Sequence, residues 1–114
     1  VEELERLQQF VTPETLIYIE VPGIRNLPFS YNQDFLQYLQ IAHTYHFTLE
    51  SLVNCCQKAG LQLIEGNVSV HSLFKKGRKI QNYNSDYGLT VEFLKELEKS
   101  SFASSEMKRS CFIF

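Results

Sequence analysis

The stretch "FTLESLVNCCQKAG", residues 47–60, carries the clearest secondary-structure signals in the chain. Thr48 is a preferred N-cap residue, and Glu50 lies in the first turn, where the helix dipole favours a negative charge. One apolar face is formed by Leu49, Leu52, Val53, Cys56 and Ala59. Gly60 follows at the position where helices often end in a left-handed residue. The stretch therefore predicts a helix over residues 49–59 with one face on a core.

Strand patterns lie on both sides of this helix. Upstream, "TLIYIEVPG" (residues 15–23) is a β-branched and aromatic run that ends at Pro22 and Gly23. Because the run is nearly continuous rather than alternating, it predicts a central strand covered on both faces, as in a parallel sheet. Downstream, "LQLIEGNVSVHSLFKK" (residues 61–76) predicts two antiparallel strands joined by a two-residue turn at Gly66-Asn67.

Three further segments have helical patterns. Residues 1–11, "VEELERLQQFV", repeat apolar residues at helical spacing and are acidic in the first turn. Asn32 is a candidate cap for a short helix over residues 33–40, and Thr90 is a candidate cap for a helix over residues 91–100. Helices that alternate with strands in this way predict an α/β fold.

Composition narrows the class of protein. The chain has 114 residues, which favours one domain, and 13 acidic against 11 basic residues give a net charge of −2. This balance argues against nucleic-acid and anionic-membrane partners. No apolar run approaches the roughly 20 residues of a membrane span, and the opening lacks signal-peptide features. We therefore expect a cytoplasmic protein, in which the adjacent Cys55 and Cys56 are reduced packing residues.

The order of these elements resembles the C-terminal half of a class I S-adenosylmethionine-dependent methyltransferase. The stretches that carry the resemblance are "LIYIEVPG", "AHTYHFTLESLVNCCQKAGLQLIEGN" and "VHSLFKKG". In that family the fifth strand leads into an acceptor-binding loop, and the sixth and seventh strands form an antiparallel hairpin. The resemblance implies a partial Rossmann-like sheet with flanking helices over residues 1–77, followed by a connector, an extra helix and a tail over residues 78–114.

The function that the resemblance implies is methyl transfer from S-adenosylmethionine to a small-molecule acceptor. The family binds this cofactor in the other half of its sheet, on a glycine-rich loop, and this chain contains no G-x-G-x-x-G motif. We therefore expect no cofactor-binding residues here, no cofactor binding by this chain alone, and catalysis only as part of a longer protein. The alternative is a non-catalytic α/β interaction module, a methyltransferase remnant that lost its cofactor site.

Candidate site residues lie around "QIAHTYHFTLESL", residues 40–52. A branch of the family similar to sugar C-methyltransferases has a Glu-His pair here, and the resemblance makes His43 the candidate general base, with Ala42 in place of the glutamate. The alternative is that these rings only pack the helix entrance or face water. The candidates for acceptor contacts are Glu20, Arg25, Tyr31, Tyr45 and His46.

Three further interpretations concern charges, metals and the sheet edge. Glu20 at the end of its strand either binds an acceptor hydroxyl or amine, or pairs with Arg25. No metal site is predicted, because His43 and His46 have helix-compatible spacing but no third ligand nearby, and His71 lies in a separate strand. An isolated half-domain would expose one sheet edge, which predicts homodimerisation or aggregation.

Overall fold

The computed structural model describes residues 1–29, 38, 44–81 and 84–111, with residues 29 and 101–111 described by their backbone only. Its elements are, in chain order, helix α1 (Glu2–Gln8), strand β1 (Ile17–Glu20), a 3₁₀-helix (Ile24–Phe29), helix α2 (Leu49–Lys58), strand β2 (Leu61–Gly66), strand β3 (His71–Lys76) and helix α3 (Tyr87–Cys111). The α/β prediction is confirmed, with an open antiparallel sheet of three strands in these ranges. The helix predicted over residues 33–40 lies outside the described residues, apart from Tyr38.

The sheet has the order β1-β3-β2, and β3 is antiparallel to both neighbours. Ile17 and Ile19 point toward the core, whereas Tyr18 is 60% exposed and Glu20 is also exposed. The prediction of a central strand covered on both faces is wrong for the described sheet. The central strand is β3. The helical residues that reach the core, among them Leu4 and Leu52, pack on the same sheet face as Ile17 and Ile19. A continuous apolar run therefore does not distinguish a central strand from an edge strand.

The predicted hairpin is confirmed, but its turn is not the predicted one. The strands are joined by the four residues 67–70, and Gly66 belongs to β2. The Asn67 backbone carbonyl accepts from the Val70 N–H at 2.9 Å, and its side-chain Oδ1 accepts from the N–H groups of Ser69 and His71 at 3.0 and 3.2 Å. Asn67 thus stabilises a longer turn through its side chain. Val70 closes the turn with a φ of 59°, a conformation that is strained for a β-branched residue.

Helix α2 forms as its caps predict. The Ser51 N–H donates to Thr48 Oγ1 at 3.1 Å, and the Thr48 N–H donates to Ser51 Oγ at 2.9 Å. Gly60 follows the helix with a φ of +82°, which confirms its predicted role. The central core cluster consists of Leu52, Cys56, Leu61, Val70 and Phe74. It joins α2 to both strands of the hairpin, and Phe47 packs on it at the helix entrance.

Helix α3 begins at Tyr87, so the prediction that Thr90 is its cap is wrong. Asp86 lies directly before the helix, and its backbone carbonyl accepts from the Thr90 N–H at 2.9 Å. The Thr90 hydroxyl also donates to Asp86 Oδ2 at 3.3 Å, which places Thr90 in the first turn. Among the described helices, none has the length and apolar content that crossing a membrane requires.

Candidate functional site

The end of β1 and the entrance of α2 run side by side. The Ile24 N–H donates to the Phe47 carbonyl at 2.8 Å, and the Phe47 N–H donates to the Pro22 carbonyl at 3.1 Å, which forms a parallel bridge between Gly23 and Phe47. We call residues 21–25 and 45–48 the β1–α2 junction. Two segments that the sequence marks separately as candidate site segments therefore meet at the carboxyl end of β1.

The hairpin turn supports this junction at Gly23. A Cβ atom at Gly23 would lie 2.8 Å from the Val68 carbonyl oxygen and 2.8 Å from Val70 Cγ2, closer than real Cβ contacts. The Val21 N–H also donates to the Val70 carbonyl, at 3.4 Å. Glycine is thus needed here for close approach of two backbones, and the turn fixes where β1 ends.

Arg25 follows directly on this contact. Its side chain is 28% exposed, and its Nη2 lies 3.5 Å from Asp86 Oδ2. Its Nε and Nη2 atoms are enclosed and make no hydrogen bond, so the contact with Asp86 is an ion pair alone. The alternative in which Glu20 pairs with Arg25 is wrong, because each has a different partner among the described residues.

His46 lies on the other segment of the junction. Its ring packs against the Tyr38 ring with a centroid separation of 4.6 Å and an interplanar angle of 45°. Tyr38 is only 2% exposed, and the Nδ1 atom of His46 is enclosed without a hydrogen bond. Tyr45, in contrast, is 73% exposed. His46 therefore packs the helix entrance, as the alternative interpretation predicts, and also presents one unpaired polar atom there.

Glu20 belongs to a different polar cluster, on the sheet face opposite the core. The β1–β3 register places it beside His71, whose Nε2 lies 3.4 Å from Glu20 Oε1. The Tyr18 hydroxyl donates to Glu20 Oε2 at 3.2 Å. Desolvation, followed by the charge of Glu20 and this hydrogen bond, raises the pKa of Tyr18 above its usual value. The described contacts of Glu20 thus join it to Tyr18 and His71 and to neither Arg25 nor His46.

Two of the predicted site residues, His43 and Tyr31, lie outside the described residues, so their roles remain predictions. Within the described ranges, no three His, Cys, Asp or Glu side chains are grouped as metal ligands would be.

The structure adds two features that the sequence interpretation missed. Asp86 is the ionic partner of Arg25, and the sequence pattern did not point to it because the predicted helix begins at residue 91, five residues after Asp86. An open groove of about 360 Å³ also runs along α2. Its apolar lining is formed by Leu49, Val53, Leu63 and Ile80. Asn54 and Asn84 also line the groove, and Asn54 Nδ2 donates to the Asn84 carbonyl at 2.8 Å.

Comparisons with protein-family models, with curated proteins and with solved structures give no match for this chain. Any statement of function therefore depends on its own residues and on the resemblance described above.

Proposed function

We propose that this chain is the acceptor-side part of an S-adenosylmethionine-dependent methyltransferase and positions a small-molecule acceptor for methyl transfer. In this proposal the cofactor-binding half lies outside the chain. The chain on its own is inactive.

The β1–α2 junction is the observation that carries the proposal. In open α/β sheets, ligands bind beyond the carboxyl ends of the strands. The junction brings the segments of Arg25 and His46 together at that end of β1, where the resemblance expects the acceptor. The enclosed unpaired nitrogens of Arg25 and His46 supply the polar groups that such a ligand needs.

The free side of β1 gives further support. The Val21 N–H donates to the carbonyl of Val70, the residue directly before β3, and the direction of hydrogen bonds alternates along an antiparallel strand. The backbone groups of Tyr18 and Glu20 therefore point away from β3, to an edge without a partner strand among the described residues. Leu16 and Tyr18, which alternate with the core-facing Ile17 and Ile19, are also 61% and 60% exposed. A larger sheet would pair this edge and cover these side chains.

We assign no S-adenosylmethionine contacts to the described residues. A Cβ atom at Gly23 would meet the hairpin turn, and one at Gly77 would lie 2.8 Å from Gln62 Cβ. The close approaches at these two glycines are thus made to other parts of the chain. The part of the reaction that we assign to this chain is therefore acceptor binding, with His43 as the proposed general base. Since Ala42 provides no carboxylate to orient that imidazole, another group has to do so.

The test is to isolate the natural protein from its source cells with an antibody against this chain and to measure binding of S-adenosylhomocysteine by calorimetry. A species about twice the size of this chain that binds the ligand saturably is the expected result, because the fold needs a second βαβ half. A natural species of 13.3 kDa that binds none would overturn the proposal.

A second candidate function is a non-catalytic interaction module. The exposed apolar side chains of Leu16 and Tyr18 favour it, because exposed apolar surface often marks a contact with another protein. A natural protein that binds no S-adenosylhomocysteine but co-purifies with a partner would favour the module. Loss of that partner on Tyr18→Ser would assign the contact to these side chains.

A further inference from the structure

We propose that Arg25 binds an acidic group, a carboxylate or a phosphate, of the ligand that occupies the β1–α2 junction, and that Asp86 is displaced from Arg25 when the ligand binds. The proposal rests on the proposed function only for the identification of that ligand as the methyl acceptor.

The donors of Arg25 are incompletely used. A guanidinium has five N–H groups in a planar fork that matches the two oxygens of a carboxylate or phosphate. Here Nε and Nη2, the two atoms of one side of that fork, are enclosed and make no hydrogen bond. An enclosed donor without a partner costs free energy, so such atoms in a native protein call for an explanation such as a ligand or an ion.

Asp86 is a poor partner for this fork. Only Oδ2 approaches Arg25, at 3.5 Å, and the same oxygen accepts the Thr90 hydroxyl at 3.3 Å. Strong N⁺–H···O⁻ hydrogen bonds measure about 2.7–2.9 Å, and bidentate pairs use both oxygens. A ligand oxyanion that engages Nε and Nη2 together would thus gain two hydrogen bonds and give up one loose ion pair. Asp86 would keep its backbone hydrogen bond from Thr90 at the start of α3.

The position of Arg25 is fixed by elements that do not depend on Asp86. Ile24, the residue before it, is held by the 2.8 Å hydrogen bond to Phe47, and Asn26, the residue after it, accepts from the Ser69 hydroxyl at 3.0 Å. His46 lies directly before Phe47, and its Nδ1 is enclosed without a hydrogen bond. The side chain of Arg25 can therefore change partners while its backbone remains in place.

The experiment is a titration of the intact chain with inorganic phosphate and, separately, with acetate, at constant ionic strength. The probe is the Nε–Hε NMR signal of Arg25, which is assigned by its loss in Arg25→Gln and observed beside those of Arg6, Arg78 and Arg109. We expect saturable movement of the Arg25 signal with at least one of the two anions. Arg25→Lys, which keeps the charge and loses the fork, should weaken binding by about tenfold, and this variant is followed through the backbone N–H signals of Ile24 and Asn26. Arg6→Gln, at an arginine whose partner is the exposed Glu3, is the matched control and should leave binding unchanged.

Asp86→Asn separates this proposal from a purely structural ion pair. Asparagine is also a good residue before a helix, so α3 should keep its start. If Asp86 competes with the ligand, the variant binds the anion several-fold more tightly. Movement of the Arg25 signal with neither anion, or no increase in affinity in the folded Asp86→Asn protein, would overturn the proposal. Anion binding together with failure of the natural protein to bind S-adenosylhomocysteine would leave the Arg25 site in place and refute only the methyltransferase function.

Discussion

Replacing Gly23 with alanine tests whether the contact between β1 and the hairpin turn holds the candidate site together. The new Cβ atom would lie 2.8 Å from the Val68 carbonyl oxygen, 2.8 Å from Val70 Cγ2 and 3.0 Å from the Ser69 carbonyl carbon. Two of these three atoms belong to the backbone. Val70 is fully buried, and its carbonyl accepts a hydrogen bond from the Val21 N–H. None of these neighbours can move away without moving the turn or the end of β1.

The expected loss follows from these distances. Carbon atoms pack best at about 3.5–4.0 Å, so each contact is short by roughly half an ångström or more. Overpacking of this kind costs about 1–3 kcal/mol. Alanine also lowers the conformational entropy of the unfolded chain. This effect stabilises the folded protein by about 0.4–1 kcal/mol where the native backbone conformation is compatible with alanine. We therefore expect Gly23→Ala to lower the free energy of unfolding by about 1–2 kcal/mol.

Urea denaturation followed by circular dichroism measures this change. Gly88→Ala is the matched control, because a Cβ atom there meets nothing within 4 Å and alanine is the better helix former in α3. The control should be as stable as the natural sequence or slightly more stable. A Gly23→Ala protein with unchanged stability would refute the close-approach argument. Shifts of the Arg25 and Phe47 backbone NMR signals in the variant would show that the disturbance reaches the junction.

Three further predictions concern α2 and the sheet edge. Thr48→Ala removes the side-chain acceptor for the Ser51 N–H, so the free energy of unfolding should fall by about 1 kcal/mol in urea. Burial, and secondarily the neighbouring Cys55, raises the pKa of the Cys56 thiol from 9.0 to about 12. The unfolded chain therefore loses this proton first, and the stabilisation present below pH 9 should disappear progressively as the pH rises toward 12. The edge of β1, which has no partner strand among the described residues, should produce concentration-dependent dimers or aggregates of the isolated chain in size-exclusion chromatography.

Each of these has its own control. Thr44→Ala, at an exposed position, should leave stability unchanged, and an equal loss in both threonine variants would contradict the cap assignment. Cys56→Ala should unfold with a weaker dependence on alkaline pH than the natural sequence, because other titrating groups are common to both proteins. If the free energies of unfolding of the two proteins fall equally between pH 9 and 11, the loss of stability is not caused by ionisation of the buried Cys56 thiol. A monomer that persists at every loading concentration would contradict the edge prediction.

The candidate site was predictable from the sequence only in its segments. The residues after β1 and before α2 stood out through Val21-Pro22-Gly23 and the histidines, and the structure brings these segments together. The partners of individual side chains were not predictable. Arg25 lies opposite Asp86, and Glu20 lies beside His71, because chain folding and strand register bring together residues that are distant in sequence.

The sequence by itself determined those features whose energies are local. Thr48 and Gly60 marked the start and end of α2, since caps act within a single turn. The two strands of the hairpin were likewise evident from their composition. The tertiary structure alone decided that β1 lies at the edge of the described sheet, that the turn spans four residues, and that Val70 adopts a positive φ. Those outcomes depend on how residues distant in sequence pack against each other, because the free energy of this packing exceeds the small free-energy differences between local backbone conformations.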